Sequence, residues 1–275
     1  MTFSDEIEQQ ALAARRQMVR SGELVKEDEF REQLHVSAVH LARMVARGSV
    51  FTIEVDDVHY FPSLLATPNI DLKRLHAVCR ILGPAPPSCR LGYLSSRHAN
   101  IGGIFPLEAL SDERKFRLLC RMARAYAAEW SRTVVTIYAG RYEEEPVDTE
   151  PALTAADEID PRVNLWKRAE GALRHGGYIW PCGPYPRASE ATAYIARHPA
   201  GEAPSIPDAR IDVSVVDGIA HAIVVRHEGS TYKLDAIRVA DEDDIVSVVL
   251  CVVVAARKSE FKPARLSKSK QRGTR

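Results

Sequence analysis

The sequence predicts a mixed fold, with a mainly α-helical first half and an α+β second domain whose strands make an antiparallel three-stranded meander. Three observations predict it. Apolar residues recur at helical spacing through the first half, as where Phe116, Leu119, Ala123, Ala127 and Trp130 line one face of residues 112–130. Residues 210–239 read as three strands joined by Asp217-Gly218, a favoured hairpin pair, and by the longer Glu228-Gly229-Ser230. Between the halves, residues 143–160 carry eight acids, no lysine or arginine, and Pro146 and Pro151. Such a run reads as an extended, self-repelling linker.

The first helix is predicted over 4–21, with Ser4 as cap, Asp5 and Glu6 in the first turn and Gly22 after its end; residues 1–23 form this leading element. A second helix spans 26–33 and breaks over Leu34-His35-Val36. Ser37 then caps a third, which runs to about Arg47 and stops at Gly48. In SVFTIEVDDVHYFP, Phe51, Ile53 and Val55 alternate with Thr52 and Glu54, and Val58 and Tyr60 resume the pattern after Asp56-Asp57. That is a tight hairpin with consistent register. Helices over 71–82 and 112–130 follow. Between them NIGGIFPLEAL reads as a sharp turn at Gly102-Gly103 feeding a short helix over 106–110, with Pro106 in the first turn.

The second domain is read over 161–257. A helix at 161–175 meets Gly176-Gly177, then the loop YIWPCGPYP and a short helix at 188–197. Strands at 210–216, 219–227 and 231–239 come next. The run DEDDIVSVVLCVVVAARK reads as a buried helix, because its acids lead and its bases trail as a helix dipole favours. Residues 258–275 are basic and poor in large apolar side chains, and are predicted to be a disordered tail.

Composition excludes several classes. The 37 lysines and arginines balance 37 acids, so no net charge argues for nucleic acid or a membrane surface. The five cysteines show no C-x-x-C pair, and the opening MTFSDEIEQQ is acidic and polar. These predict reduced thiols, no secretory signal and a cytoplasmic, bacterial protein, expected on a mobile element. The longest apolar run, 245–256, is too short to span a bilayer. Hydrolase, zincin and P-loop signatures are missing, so no enzyme, cofactor or metal is expected. His221 and His227 share a strand face without a third ligand. Cys182 is the one candidate nucleophile, ahead of a predicted helix whose N-terminus would favour its thiolate.

Residues 24–62 have the layout of a winged helix-turn-helix. Phe30, Leu34, Val36, Leu41 and Met44 fall where two short helices pack, and a reading helix would expose Ser37, His40, Arg43 and Arg47 to bases and phosphates. The wing tip, Glu54, Asp56 and Asp57, would repel phosphates. Tyr93-Leu94, Ile101-Gly102-Gly103, Pro106-Leu107-Glu108 and Leu110 then follow the order of a second pattern. On these residues 63–132 resemble the toxin-binding domain of Xre/MbcA/ParS-type antitoxins, which follows a helix-turn-helix. The resemblance implies a DNA-binding protein with a toxin partner of RES type, contacted through Ile101, Gly102, Gly103, Pro106, Leu107 and Leu110. A homodimer is a further expectation.

Charge adds to this. Between residues 73 and 132 eleven lysines and arginines face four acids, and Arg114, Arg117, Arg121 and Arg124 recur at helical spacing opposite the Phe116/Leu119 face. The function expected is a DNA-binding regulator or antitoxin-like protein. The alternatives are an interaction adaptor that never touches DNA and, behind it, an enzyme centred on Cys182.

Overall fold

Helical periodicity in the first half becomes a unit of helices around one small sheet. The computed structural model describes residues 3–175, 177–201 and 203–260. The chain divides into two units between Trp130 and Ser131. The tail predicted to be disordered lies, from residue 261 on, outside the described residues, as does the Ser4 side chain.

In the first unit α1 (Phe3–Arg20) leads to β1 (Leu24–Val25), α2 (Glu27–Leu34), α3 (Ala38–Ala46), β2 (Ile53–Val55) and β3 (Val58–Pro62). The strands form an antiparallel three-stranded sheet in the order β1-β3-β2, with Val25 opposite Phe61 and Ile53 opposite Tyr60. Asp56 and Asp57 make the hairpin turn at φ +50° and +61°. Two left-handed residues in succession match the twist of the flanking strands, and aspartate tolerates that region. β1 has no counterpart in the sequence reading, because two residues give no alternation to detect.

A short 3-10 turn then leads to α4 (Leu72–Ile81), α5 (Pro87–Ser95), α6 (Pro106–Ala109) and α7 (Glu113–Ala128). Asp71 and Asp112 cap α4 and α7, accepting from the Arg74 and Lys115 N–H groups at 3.0 and 2.9 Å. α5 is likewise missing from the helices read from the sequence, although Pro87 stands at its first position, where the missing N–H costs nothing. Phe30, Leu65, Leu75, Val78 and Leu119 are fully buried and bind these pieces into one apolar core.

The second unit comprises β4 (Ser131–Ala139), β5 (Leu153–Glu158), α8 (Leu165–His175), β6 (Tyr178–Trp180), β7 (Glu190–Pro199), β8 (Ile206–Val216), β9 (Ile219–Arg226), β10 (Thr231–Lys233), β11 (Ile237–Arg238) and α9 (Ile245–Glu260). They form one antiparallel eight-stranded sheet ordered β10-β9-β8-β7-β4-β5-β6, with β11 also on β9. The predicted meander is thus part of a wider sheet. α8 and α9 pack together over one sheet face, on Val135, Ile137, Ala193, Ile211 and Val224. In α9, Ile245, Val248, Val249, Val252, Val253 and Ala256 hold helical spacing despite the valines.

Three expectations are corrected here. Residues 188–197 form no helix. Ala191, Ala193 and Ile195 turn to the helix-covered face, and strand pairing with both β4 and β8 overrides the helical propensity of alanine. The loop after Gly177 contains β6. The acidic run 143–160 is no extended linker, and the division of the chain precedes it. β5 lies inside it with Leu153 and Ala155 buried, and residues 140–145 fold back onto the sheet. There the Tyr142 N–H donates to Thr192 Oγ1 at 3.0 Å, the Tyr194 hydroxyl donates to the Tyr142 carbonyl at 3.0 Å, and Arg210 donates to the Glu143 carbonyl. Backbone groups, which a charge count ignores, make those bonds.

Candidate nucleic-acid and partner interface

α3 presents more surface than a helix in a core. Only Leu41 and Met44 turn inward, while Ser37, His40, Arg43 and Arg47 are all exposed. Ser37 caps the helix, its Oγ accepting from the His40 N–H at 3.2 Å. The bend from α2 is made by His35, left-handed at φ +54°, whose N–H and that of Val36 return to the Glu32 and Arg31 carbonyls. Gly48 at φ +67° ends α3, and the Ser49 N–H closes on the Met44 carbonyl at 2.8 Å. The exposed face also carries Val39, 63% exposed, and Val45. Val39 stands off the Leu41/Met44 spacing, whereas Val45, four residues after Leu41, keeps that spacing and is still exposed.

α4 backs α3. Arg80 donates to the Ser49 hydroxyl at 2.9 Å, fixing the end of α3. His76 is half-buried, and burial above all, with the charges of Arg80 and His40, pushes its imidazole below the ordinary histidine range. Neither residue figures in the sequence-predicted site.

The hairpin tip is held rather than loose. Arg16 of α1 grips Asp56 through Nε and Nη2 at 2.9 and 2.6 Å, and this bond holds the exposed Asp56 carboxyl below its usual range. The Glu54 and Asp57 carboxylates meet no cation among the described residues, and Val58, next to Asp57 at the turn, is 43% exposed.

The glycine turn answers a backbone requirement. Gly102 and Gly103 adopt φ +93° and +71°, which lets the Gly103 N–H reach the His98 carbonyl at 3.0 Å while the His98 N–H donates to Ile104. A Cβ at either would meet nothing within 4 Å, so the need is conformational and not steric. Of the predicted partner residues, Ile101, Pro106 and Leu110 are buried and serve the core, Leu107 is half-buried, and only Gly102 and Gly103 are exposed.

Beside this turn α5 and α7 leave a groove of about 430 Å³. Tyr93, His98, Met122 and Tyr126 line it, with the Tyr93 ring 4.5 Å from His98 and 5.0 Å from Tyr126. Arg121 and Arg124 stand next to Met122 and Ala125 along α7, exposed and unpaired among the described residues, as are Arg114 and Lys115; Arg117 pairs with Glu113 at 2.8 Å.

In the second unit Cys182 is exposed, but β7 follows it in place of the helix that would favour its thiolate. His221 and His227 lie exposed on β9 and just after it, and no metal-binding group of His, Cys, Asp or Glu occurs among the described residues. No described helix is long and apolar enough to cross a membrane. No protein-family model matches this chain, and neither a curated protein nor a solved structure does.

Proposed function

We propose that the first unit is a winged helix-turn-helix module of a DNA-binding regulator or antitoxin-like protein, with α3 as its reading helix. One observation carries this. The element order α1-β1-α2-α3-β2-β3 with sheet order β1-β3-β2 fits a winged arrangement, and the second of its two short helices, α3, is the one left open to solvent. His40, Arg43 and Arg47 then offer donors to base edges and phosphates, and Ser37 sits at the helix start, where reading helices approach bases. The acidic hairpin tip takes no part in DNA contact on this reading. The glycine turn and the helices around it form the antitoxin-like part, with a RES-type toxin as the partner the resemblance suggests.

The test is binding of the purified chain to its own upstream DNA under a salt titration, beside an Arg43→Ala/Arg47→Ala variant. The expected outcome is saturable binding above that to random DNA. In the variant the slope of log affinity against log salt falls by about 0.9 for each phosphate that is no longer neutralised. Binding that is absent, or unchanged in the variant, removes the reading. The adaptor alternative draws on the acids of α2 and the hairpin and on exposed Val39, and would follow from that negative result.

A further inference from the structure

The first unit carries two charge surfaces of opposite sign that its own fold uses only in part, since at the first of them Arg16 takes Asp56 and Arg15 reaches the Glu54 carbonyl at 3.3 Å. One is the hairpin tip, where Asp57 adjoins exposed Val58 at the turn and Glu54 stands on the other face of the ribbon, opposite His59. The other is the α7 stripe, where Arg121 and Arg124 border the aromatic groove of α5 and α7. We infer that they meet between copies, the acidic hairpin of one chain docking on the basic stripe and groove of another.

Three properties fit. The charges are complementary, and such complementarity selects a partner and its register more than it supplies affinity. The apolar parts also match: Val58 is a small exposed knob, and Met122 and Tyr126 offer a soft, aromatic surface in a groove of about 430 Å³. Shape agrees as well. The hairpin is tight, and the Arg16 grip on Asp56 holds it in one geometry, which lowers the ordering cost of docking. Glu129 at the far end of the groove opposes an acid there, so the carboxylates belong at the Arg121 end. The same docking accounts for acids on a hairpin that DNA would reject. It does not depend on the DNA-binding reading.

The experiment is the mass of the intact chain in solution, by sedimentation equilibrium, as ionic strength rises from about 0.01 M to about 1 M, where the Debye length falls from about 30 to about 3 Å. The expected mass rises above the 30.6 kDa of one chain at low salt and returns to it at high salt. Two variants carry the decision: Arg121→Glu/Arg124→Glu on the stripe, and Glu54→Lys/Val58→Lys on the hairpin, leaving Asp56 and Asp57 to keep the turn. Each alone is expected to stay at the mass of one chain, and the stripe variant mixed with wild type to associate less than wild type alone. Adding Glu54→Lys to the stripe variant restores opposite charges on the two faces and is expected to recover association. Wild type that remains at 30.6 kDa at low salt overturns the inference. So does association that survives both variants. Loss of DNA affinity in the stripe variant with its mass behaviour unchanged gives the stripe to nucleic acid instead, and equally overturns it.

Discussion

In the second unit charge is drawn into the fold, whereas in the first it stays at the surface. Arg168, only 4% exposed in its side chain, donates to Thr133 Oγ1 at 2.9 Å and pairs with Asp208 at 2.8 Å, which also receives Arg197 at 3.0 Å. Arg210 and Asp212 pair at 3.1 Å with little exposure, while Glu170, itself little exposed, is shared by Arg174 and Arg257, whose side chains stay nearly half exposed. The core of the first unit holds no such cluster among the described residues, while Arg43, Arg47, Arg121 and Arg124 lie open. Buried pairs are already committed to one geometry, but surface cations stand ready for a partner. The contrast therefore directs the search for binding to the first unit.

The sharpest way to break that comparison is Asp208→Ala. It strands Arg168 in the core with its ion pair gone, and leaving a buried charge uncompensated costs about 3–5 kcal/mol. Urea unfolding should show the loss, and hydrogen exchange should place it in β4, β7 and β8, with α3 and α4 unaffected. If the variant unfolds with the wild-type midpoint, the Arg168 cluster is not a structural use of charge. Arg121→Ala, by contrast, should change stability by less than about 0.5 kcal/mol, as expected of a surface change.

A smaller effect separates backbone need from side-chain packing within the first unit. Gly102, at φ +93° with open space around it, should resist any side chain, and Gly102→Ala is expected to cost about 1–2 kcal/mol. Gly92 lies within α5, and a Cβ there would also meet nothing within 4 Å. Gly92→Ala should therefore stabilise by about 0.5–1 kcal/mol. Thermal midpoints moving in opposite directions would support this, and equal shifts would deny the turn its conformational role.

The first unit is the more legible of the two in sequence, for physical reasons. Its helices announce themselves locally, by Ser37, Asp71 and Asp112 as caps, by Gly48 as a stop, and by apolar spacing. The hairpin is legible through alternation and two aspartates suited to its turn. Sheet membership in the second unit is a matter of distant partners. β7 reads as a helix until β4 and β8 flank it, and the acids of 143–145 read as linker until Thr192, Tyr194 and Arg210 hold that segment. At the candidate site the polar residues of α3 are legible because short and basic side chains fall on one face. The groove of α5 and α7 is not, since Tyr93 and Tyr126 lie 33 positions apart and meet only in the folded unit.

The least of the expected effects concerns His76, where a titrating group of the first unit lies partly inside. Its Nε2 is buried and makes no hydrogen bond, and burial, Arg80 and His40 all disfavour its protonated form. The folded state thus binds a proton less readily than the unfolded chain, whose histidine titrates near about 6.5. Stability from this group is complete above that value and is lost as pH falls through it toward the lower folded value. Wild type should lose more stability between neutral and mildly acidic pH than His76→Gln, which cannot titrate. The interval lies above the range in which the lowered carboxyls Asp56 and Asp112 take up protons, so the difference belongs to the imidazole. Parallel losses in the two proteins would mean that the His76 imidazole senses no such charge, leaving the Arg80–Ser49 bond and the burial of Leu41 and Met44 to hold α3 in place.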